Sequence, residues 1–243
     1  MPDTGQNTHS MLSEMSMKFD LYYNNLSSNQ APGLSEWEKS VLLTQSQENV
    51  ILSLYNGTDA LGESFEETEE LRRYLSNLVE EANLQPMENS HGNLIGMADS
   101  NSYFFTLPYG DTKPAVWFIT YENVTVSNAS NSKCGTSRTI DVVPVRQDEY
   151  NKLKHNPFRG LTDRKAFRLD LADNVVEIVS KSPVTNYYLR YVKRPYPIIL
   201  EDLTDGMSIN GFTEAREPLD VSEFLHQRII DEAVALALKS WKE

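Results

Sequence analysis

Near residue 94 the hydrophobic pattern of this chain changes period, and that change restricts the fold more than any single motif does. Before it, apolar residues recur every three or four positions, as on one face of a helix. After it they alternate, as on a strand with one buried side. Met11, Met15, Phe19, Tyr22 and Leu26 predict a first helix, which the polar stretch 27–33 breaks. A second opens at Ser35, whose side chain caps while Glu38, three residues on, reaches back. It carries Trp37, Val41, Leu43, Val50, Leu54 and Tyr55 to a left-handed stop at Gly57. A third starts with a similar pair, Ser64 and Glu67, and runs through Leu71, Leu75, Leu78 and Val79 to about Asn83.

Beyond the change, 103–107, 115–126 and 140–145 are rich in aromatic and β-branched residues and read as strands. A loop is expected over 127–137 and a short helix over 146–155, stopped by Asn156-Pro157. A meander follows: Phe167, Leu169 and Leu171 alternate with Arg168 and Asp170, Asp173-Asn174 turns, and 175–179 returns. After a turn at Ser182-Pro183, 184–193 crosses back, and Pro195 and Pro197 end regular pairing. In the last segment Asp220 caps, with Glu223 at the third position. Leu225, Ile229, Ile230, Ala233, Val234, Leu236, Ala237 and Trp241 cover one broad arc opposite Arg228, Asp231, Glu232, Lys239 and Lys242. Such a helix packs inside a fold or against a neighbour.

The expected fold is therefore α+β, with an N-terminal helical region, a mainly antiparallel β region and a C-terminal helix packed on the core. By residue, a disordered or arm-like terminus takes 1–9, the helical region 10–90, the β region 91–200, an extended arm or loop 201–219, and the helix 220–243, all within one domain.

Composition removes several classes. No run approaches 18 apolar residues, so no membrane-spanning helix is expected and no membrane partner. The first residues lack the basic and apolar regions of a secretory signal. A single cysteine, Cys134, excludes an intrachain disulfide framework and a multi-cysteine zinc site, and folding in a reducing cytoplasm is expected. The net charge of −13 is unevenly placed: residues 1–100 hold 4 basic and 16 acidic side chains, while 133–194 hold 13 basic and 7 acidic. Overall acidity argues against a dedicated duplex-DNA binder.

Chemistry is hard to find. His9, His91, His155 and His226 are scattered, and His226 reads as a hydrogen-bonded core histidine. There is no nucleophile elbow, no paired-histidine zinc motif and no glycine-rich phosphate loop. The cluster Glu63, Glu66, Glu67, Glu69 and Glu70 has the spacing of a solvated first helical turn, favoured by the helix dipole, rather than of a calcium loop. No catalytic residue, metal or cofactor is expected. A hydrolase with an unrecognised carboxylate pair stays open as one alternative. Another is a single-strand nucleic-acid binder using the basic belt 133–194. There Arg159, Arg164, Lys165, Arg168, Arg190, Lys193 and Arg194 interleave with Phe158, Phe167, Tyr187, Tyr188 and Tyr191. The ordinary reading, which we favour, is that the aromatics fill a core and the cations form its wet face.

Several stretches carry a family resemblance. One is Trp37-Glu38-Lys39-Ser40-Val41-Leu42-Leu43-Thr44-Gln45-Ser46-Gln47-Glu48, leading to Leu54-Tyr55-Asn56-Gly57. Another begins Val143-Pro144-Val145-Arg146-Gln147-Asp148-Glu149-Tyr150 and continues with Asn156-Pro157-Phe158. Tyr191-Val192-Lys193-Arg194-Pro195-Tyr196-Pro197-Ile198-Ile199-Leu200 and Leu225-His226-Gln227-Arg228-Ile229-Ile230-Asp231-Glu232-Ala233 complete the set. Together they resemble a structural protein of crAss-like, short-tailed phages of gut Bacteroidales, of the head-to-tail connector (ring or adaptor) kind. The resemblance implies a virion protein of the neck or tail, assembled in the host cytoplasm. It implies a self-assembled ring, expected to be dodecameric, beneath the portal and beside other tail and ring proteins. Phage DNA would pass through without sequence-specific binding. In such a ring the charge imbalance suggests inter-subunit contacts between Glu66, Glu67, Glu69 and Glu70 on one flank and Arg159, Arg164, Lys165, Lys193 and Arg194 on the other.

Overall fold

The computed structural model describes residues 10–27, 32–57, 69–87, 102–109, 115–127, 137–204 and 206–242. Among these, the helices are α1 (Met11–Ser27), α2 (Glu36–Asn56), α3 (Glu69–Tyr74), α4 (Gln147–Lys154) and α5 (Glu223–Lys242). The strands are β1 (Val79–Leu84), β2 (Ser102–Thr106), β3 (Val116–Ser127), β4 (Ser137–Pro144), β5 (Lys165–Asp170), β6 (Val175–Val179) and β7 (Val184–Lys193). The fold is α+β. It divides into two compact units: a helical one up to Leu78 and again from Pro195, and a β unit from Val79 to Arg194.

In the helical unit α1 and α2 both pack on α5. The α2 capping box is present: the Ser35 hydroxyl accepts the Glu38 N–H and the Glu38 carboxylate accepts the Ser35 N–H. Gly57 ends the helix at φ 66°, a left-handed conformation that glycine adopts without a Cβ penalty. On α5, Leu225, Ile229, Ile230, Ala233, Val234 and Ala237 are buried, while Trp241 is exposed. Three expectations are corrected. The buried face of α1 runs through Leu12, Met15, Phe19 and Tyr23, rotated from the predicted row, and Leu26 lies outside. The last helix starts at Glu223 rather than directly after Asp220, whose carboxylate accepts the Tyr196 N–H at 3.0 Å. The third helix stops at Tyr74. After a 3₁₀ turn at Ser76–Leu78, Val79 opens a strand, because six residues there gain a full pairing with β7. The predicted capping pair Ser64 and Glu67 lies outside the described residues.

Residues 201–204 and 206–217 form a loop held on its own helical unit. Asn210 and Gly211, both at positive φ, form a tight turn closed between Ile209 and Phe212. The Arg216 guanidinium stacks 4.3 Å from the Tyr196 ring and 5.3 Å from that of Phe212. Glu217 accepts the Leu12 N–H at 2.8 Å, at the start of α1.

In the β unit the strand order is β1-β7-β3-β4-β5-β6-β2. The sheet curls until its outer strands approach: the Met87 N–H, just past β1, donates to the Phe104 carbonyl of β2 at 2.9 Å. Phe105, Val124, Val126, Ile140, Val142, Val176, Ile178, Tyr187 and Leu189 fill the inside. Pairing is antiparallel except between β4 and β5, which α4 joins as a crossover connection. Tyr150 of α4 packs outside the sheet on Phe167, Leu169 and Val179. The expected meander holds only from β5 to β6. The other edge of β6 is taken by β2, and β7 lies between β1 and β3 instead.

Candidate assembly surface

Two stretches that carry the family resemblance meet in the helical unit. Ser40, Thr44 and Gln47 lie on one side of α2, at the spacing of successive turns, and are buried. They serve the backbone of 196–200, where Pro195 and Pro197 contribute no N–H. The Ser40 hydroxyl accepts the Leu200 N–H at 3.0 Å. The Thr44 hydroxyl accepts the Ile198 N–H at 3.1 Å and donates to the Ile198 carbonyl at 3.3 Å. The Gln47 amide donates to the Tyr196 carbonyl at 3.3 Å. One residue before Ser40, Lys39 is 3% exposed and donates to Asp20 at 2.7 Å, Glu36 at 2.8 Å and Ser16 at 3.2 Å. Burial would lower its pKa, but the two carboxylates outweigh that and hold it above the ordinary lysine value. These polar motifs are scaffold, not chemistry.

The predicted contact residues are only partly gathered. Glu66 and Glu67 lie outside the described residues. On α3, Glu69 pairs with Arg73 at 2.6 Å, and the Tyr74 hydroxyl donates to Glu70, so both carboxylates are engaged within their own helix while still reaching solvent. Arg159 and Arg164 lie on the α4–β5 loop and Lys165 opens β5, its amine donating to the Arg159 carbonyl at 3.4 Å. Arg159 and Arg164 are exposed. Lys193, at the end of β7, is mostly covered and lies 3.6 Å from Glu80 of β1. Arg194, next to it, is exposed, and its N–H donates to the Ala115 carbonyl at 2.9 Å. The acidic set therefore belongs to the helical unit as far as it is described, and the basic set to the β unit.

The belt does not form a stacking platform. Phe167, Tyr187 and Tyr191 are buried and Tyr188 is half-buried; of the five aromatics only Phe158 is exposed. Arg168 points into the curled sheet and pairs with Glu122 at 2.8 Å, whose carboxylate also accepts the Tyr187 hydroxyl at 2.6 Å. Burial opposes the Arg168 charge, but Glu122, Tyr187 and Asp170 hold its pKa above the ordinary arginine value. Burial, reinforced by Glu122, drives the Tyr187 hydroxyl far above the usual phenol range, so it stays a donor.

Sequence reasoning missed two surface features. Asn156-Pro157, read only as a helix stop, builds a turn that holds Phe158 out at 93% exposure. The Asn156 side-chain oxygen accepts the N–H groups of Phe158 and Arg159 at 2.9 and 3.0 Å, and its carbonyl accepts the Gly160 N–H at 2.8 Å. A Cβ on Gly160 would lie 2.5 Å from that carbonyl oxygen, so the turn requires glycine. The signal was an asparagine two and three residues before the donors it serves. The second feature is a groove between α1 and α5, lined by Met11, Glu14, Met15, Lys18, Glu223 and His226. Burial pushes His226 below its ordinary pKa, against the opposing Val221 carbonyl 3.3 Å from its ring. No group of three His, Cys, Asp or Glu among the described residues could hold a metal ion, and none of the described helices is long and apolar enough to cross a membrane.

Comparison with known proteins agrees in direction. Ring protein 3 of Bacteroides phage crAss001 is 42% identical over 210 residues, covering 85% of this chain and 86% of that protein. Ring protein 4/5 of the same phage is 27% identical over 241 residues, covering 95% of this chain and 93% of the relative. The family described as phage tail ring protein 3/4 matches residues 11–243. With a match over nearly its whole length, this chain belongs to the phage tail ring protein 3/4 family, a structural component of crAss-like phage tails.

Proposed function

We propose that this chain forms a closed ring of twelve copies in the phage neck, connecting the portal to the tail and lining the channel through which DNA leaves. The family match over 11–243 is the observation that carries this reading. A ring subunit needs surfaces rather than an active site, and the buried polar groups fit that role. Glu122 pairs with Arg168 and accepts the Tyr187 hydroxyl, and Ser40, Thr44 and Gln47 bond to a neighbouring backbone. The chain acts without enzymatic chemistry, metal or cofactor. A net charge of −13 suits a wall past which DNA slides, since acidic surfaces do not adhere to phosphates. Its partners are further copies of itself, the portal and adjacent ring proteins. Assembly takes place in the host cytoplasm, with the acidic set Glu66, Glu67, Glu69 and Glu70 facing the basic set Arg159, Arg164, Lys165, Lys193 and Arg194 of the next copy. Phage necks decorated with an antibody fragment against this chain test the placement by electron microscopy. Label between portal and tail is expected; label confined to the distal tail would contradict it.

A further inference from the structure

We infer that Phe158 is the anchor by which one subunit grips the next, inserting into the α1–α5 groove of a second copy of this chain. The inference deepens the ring reading above and rests on it. The Phe158 ring stands out at 93% exposure, the highest of the large hydrophobics described. Here Asn156 and Gly160 fix the turn, so little freedom remains to be lost when the ring is buried. Arg159, the next residue, is exposed as well, and an aromatic beside arginine is the composition of an interface hot spot.

The chain also carries a socket of matching character. The α1–α5 groove has a volume of about 430 Å³, with Met15 and Ile230 buried at its base and Met11 beside them. Methionine thioethers adapt to an entering ring and contact it favourably. Glu14, paired with Lys18 at 2.6 Å, and Glu223 are among the lining residues and give the groove carboxylates for the arginine beside Phe158. The charge distribution favours a second copy as the occupant: residues 1–100, which include α1, hold 16 acidic against 4 basic side chains, and 133–194, which include the turn, hold 13 basic against 7 acidic. A knob and a socket on different parts of one chain make a heterologous contact, which repeats head to tail and closes into a ring when the rotation allows.

The test places a benzophenone amino acid at position 158 of the full chain. Heavy- and light-isotope copies are mixed at high concentration, irradiated, digested and mapped. Heavy–light links from 158 to 11–18 or 223–230 are expected. Absence of such links, or links to other segments, would overturn the inference. In parallel, Phe158→Ala should keep the wild-type melt and reduce ring incorporation into necks at least tenfold, with Phe158→Trp close to wild type. Normal incorporation of folded Phe158→Ala would overturn the anchor while leaving the ring reading intact. Failure of the wild-type chain to appear as a ring in necks would instead overturn the ring reading.

Discussion

Arg168 illustrates what one side chain can hide from sequence reasoning. It alternates with Phe167 and Leu169 as an outward-facing cation should, yet it is the side of the strand carrying Phe167 and Leu169 that α4 covers, and the side carrying Arg168 faces the inside of the curled sheet. Removing one partner of a buried pair leaves the other charge stranded, so Glu122→Gln should cost about 3 kcal/mol in a urea melt. Asp170, 3.0 Å from the Arg168 Nε, tempers that loss. The double replacement Glu122→Leu with Arg168→Met should recover most of it, because a volume-matched apolar pair removes both charges at once. A Glu122→Gln variant as stable as wild type would mean that the triad does not pin the sheet. Acidification offers a second test at this scale. His226 is held below its ordinary 6.5, first by burial, and Glu217 below 4.5, first by the Leu12 N–H and then by the Ser10 hydroxyl. In both cases the unfolded chain takes up protons first as pH falls. Stability should be full above pH 6.5, decline below it on account of His226, and decline again below 4.5 on account of Glu217. His226→Gln should flatten the first decline alone; an unchanged slope between pH 7 and 5.5 would refute the assignment.

Among the elements, those that announce themselves locally were legible. The α2 capping box, its Gly57 stop, α4, the Asp173-Asn174 turn and the apolar arc of α5 all follow from residues within a few positions of one another. What depended on distant partners was not. Val79 continues a helical spacing but pairs opposite Val192, and β7 left the meander because β2 occupies the edge of β6. The Asn210-Gly211 turn is legible in principle, since that dipeptide favours positive φ at both positions. Of the contact residues, the Arg159–Lys165 cluster was legible as charge, whereas Phe158 was not, because exposure of an aromatic has no sequence signal. The polar row on α2 has a measurable role. Thr44→Val keeps the shape but removes both bonds to Ile198, leaving a buried N–H and carbonyl unpaired, and should cost about 2 kcal/mol. Hydrogen exchange should show the Ile198 amide losing protection first; unchanged protection would mean the row is incidental.

At the scale of the whole molecule, the family is that of a ring protein, and the proposed means of building the ring are an acidic stretch over 1–100 set against a basic stretch over 133–194, with an aromatic anchor and an apolar socket. Exposed ion pairs contribute only about 0–1 kcal/mol each, so charge steers docking while buried contacts hold it. Reversing Glu66, Glu67, Glu69 and Glu70 to Lys should therefore slow incorporation into rings at low salt and change it little at high salt. Normal incorporation of the folded variant at both salts would remove the steering role. A symmetry-resolved cryo-electron microscopy reconstruction of isolated phage necks would show whether the ring closes. We predict twelve copies of this two-unit subunit in one closed ring around the DNA channel; a neck whose rings contain no density that fits the subunit, or an open, helical arrangement of it, would rule the ring out.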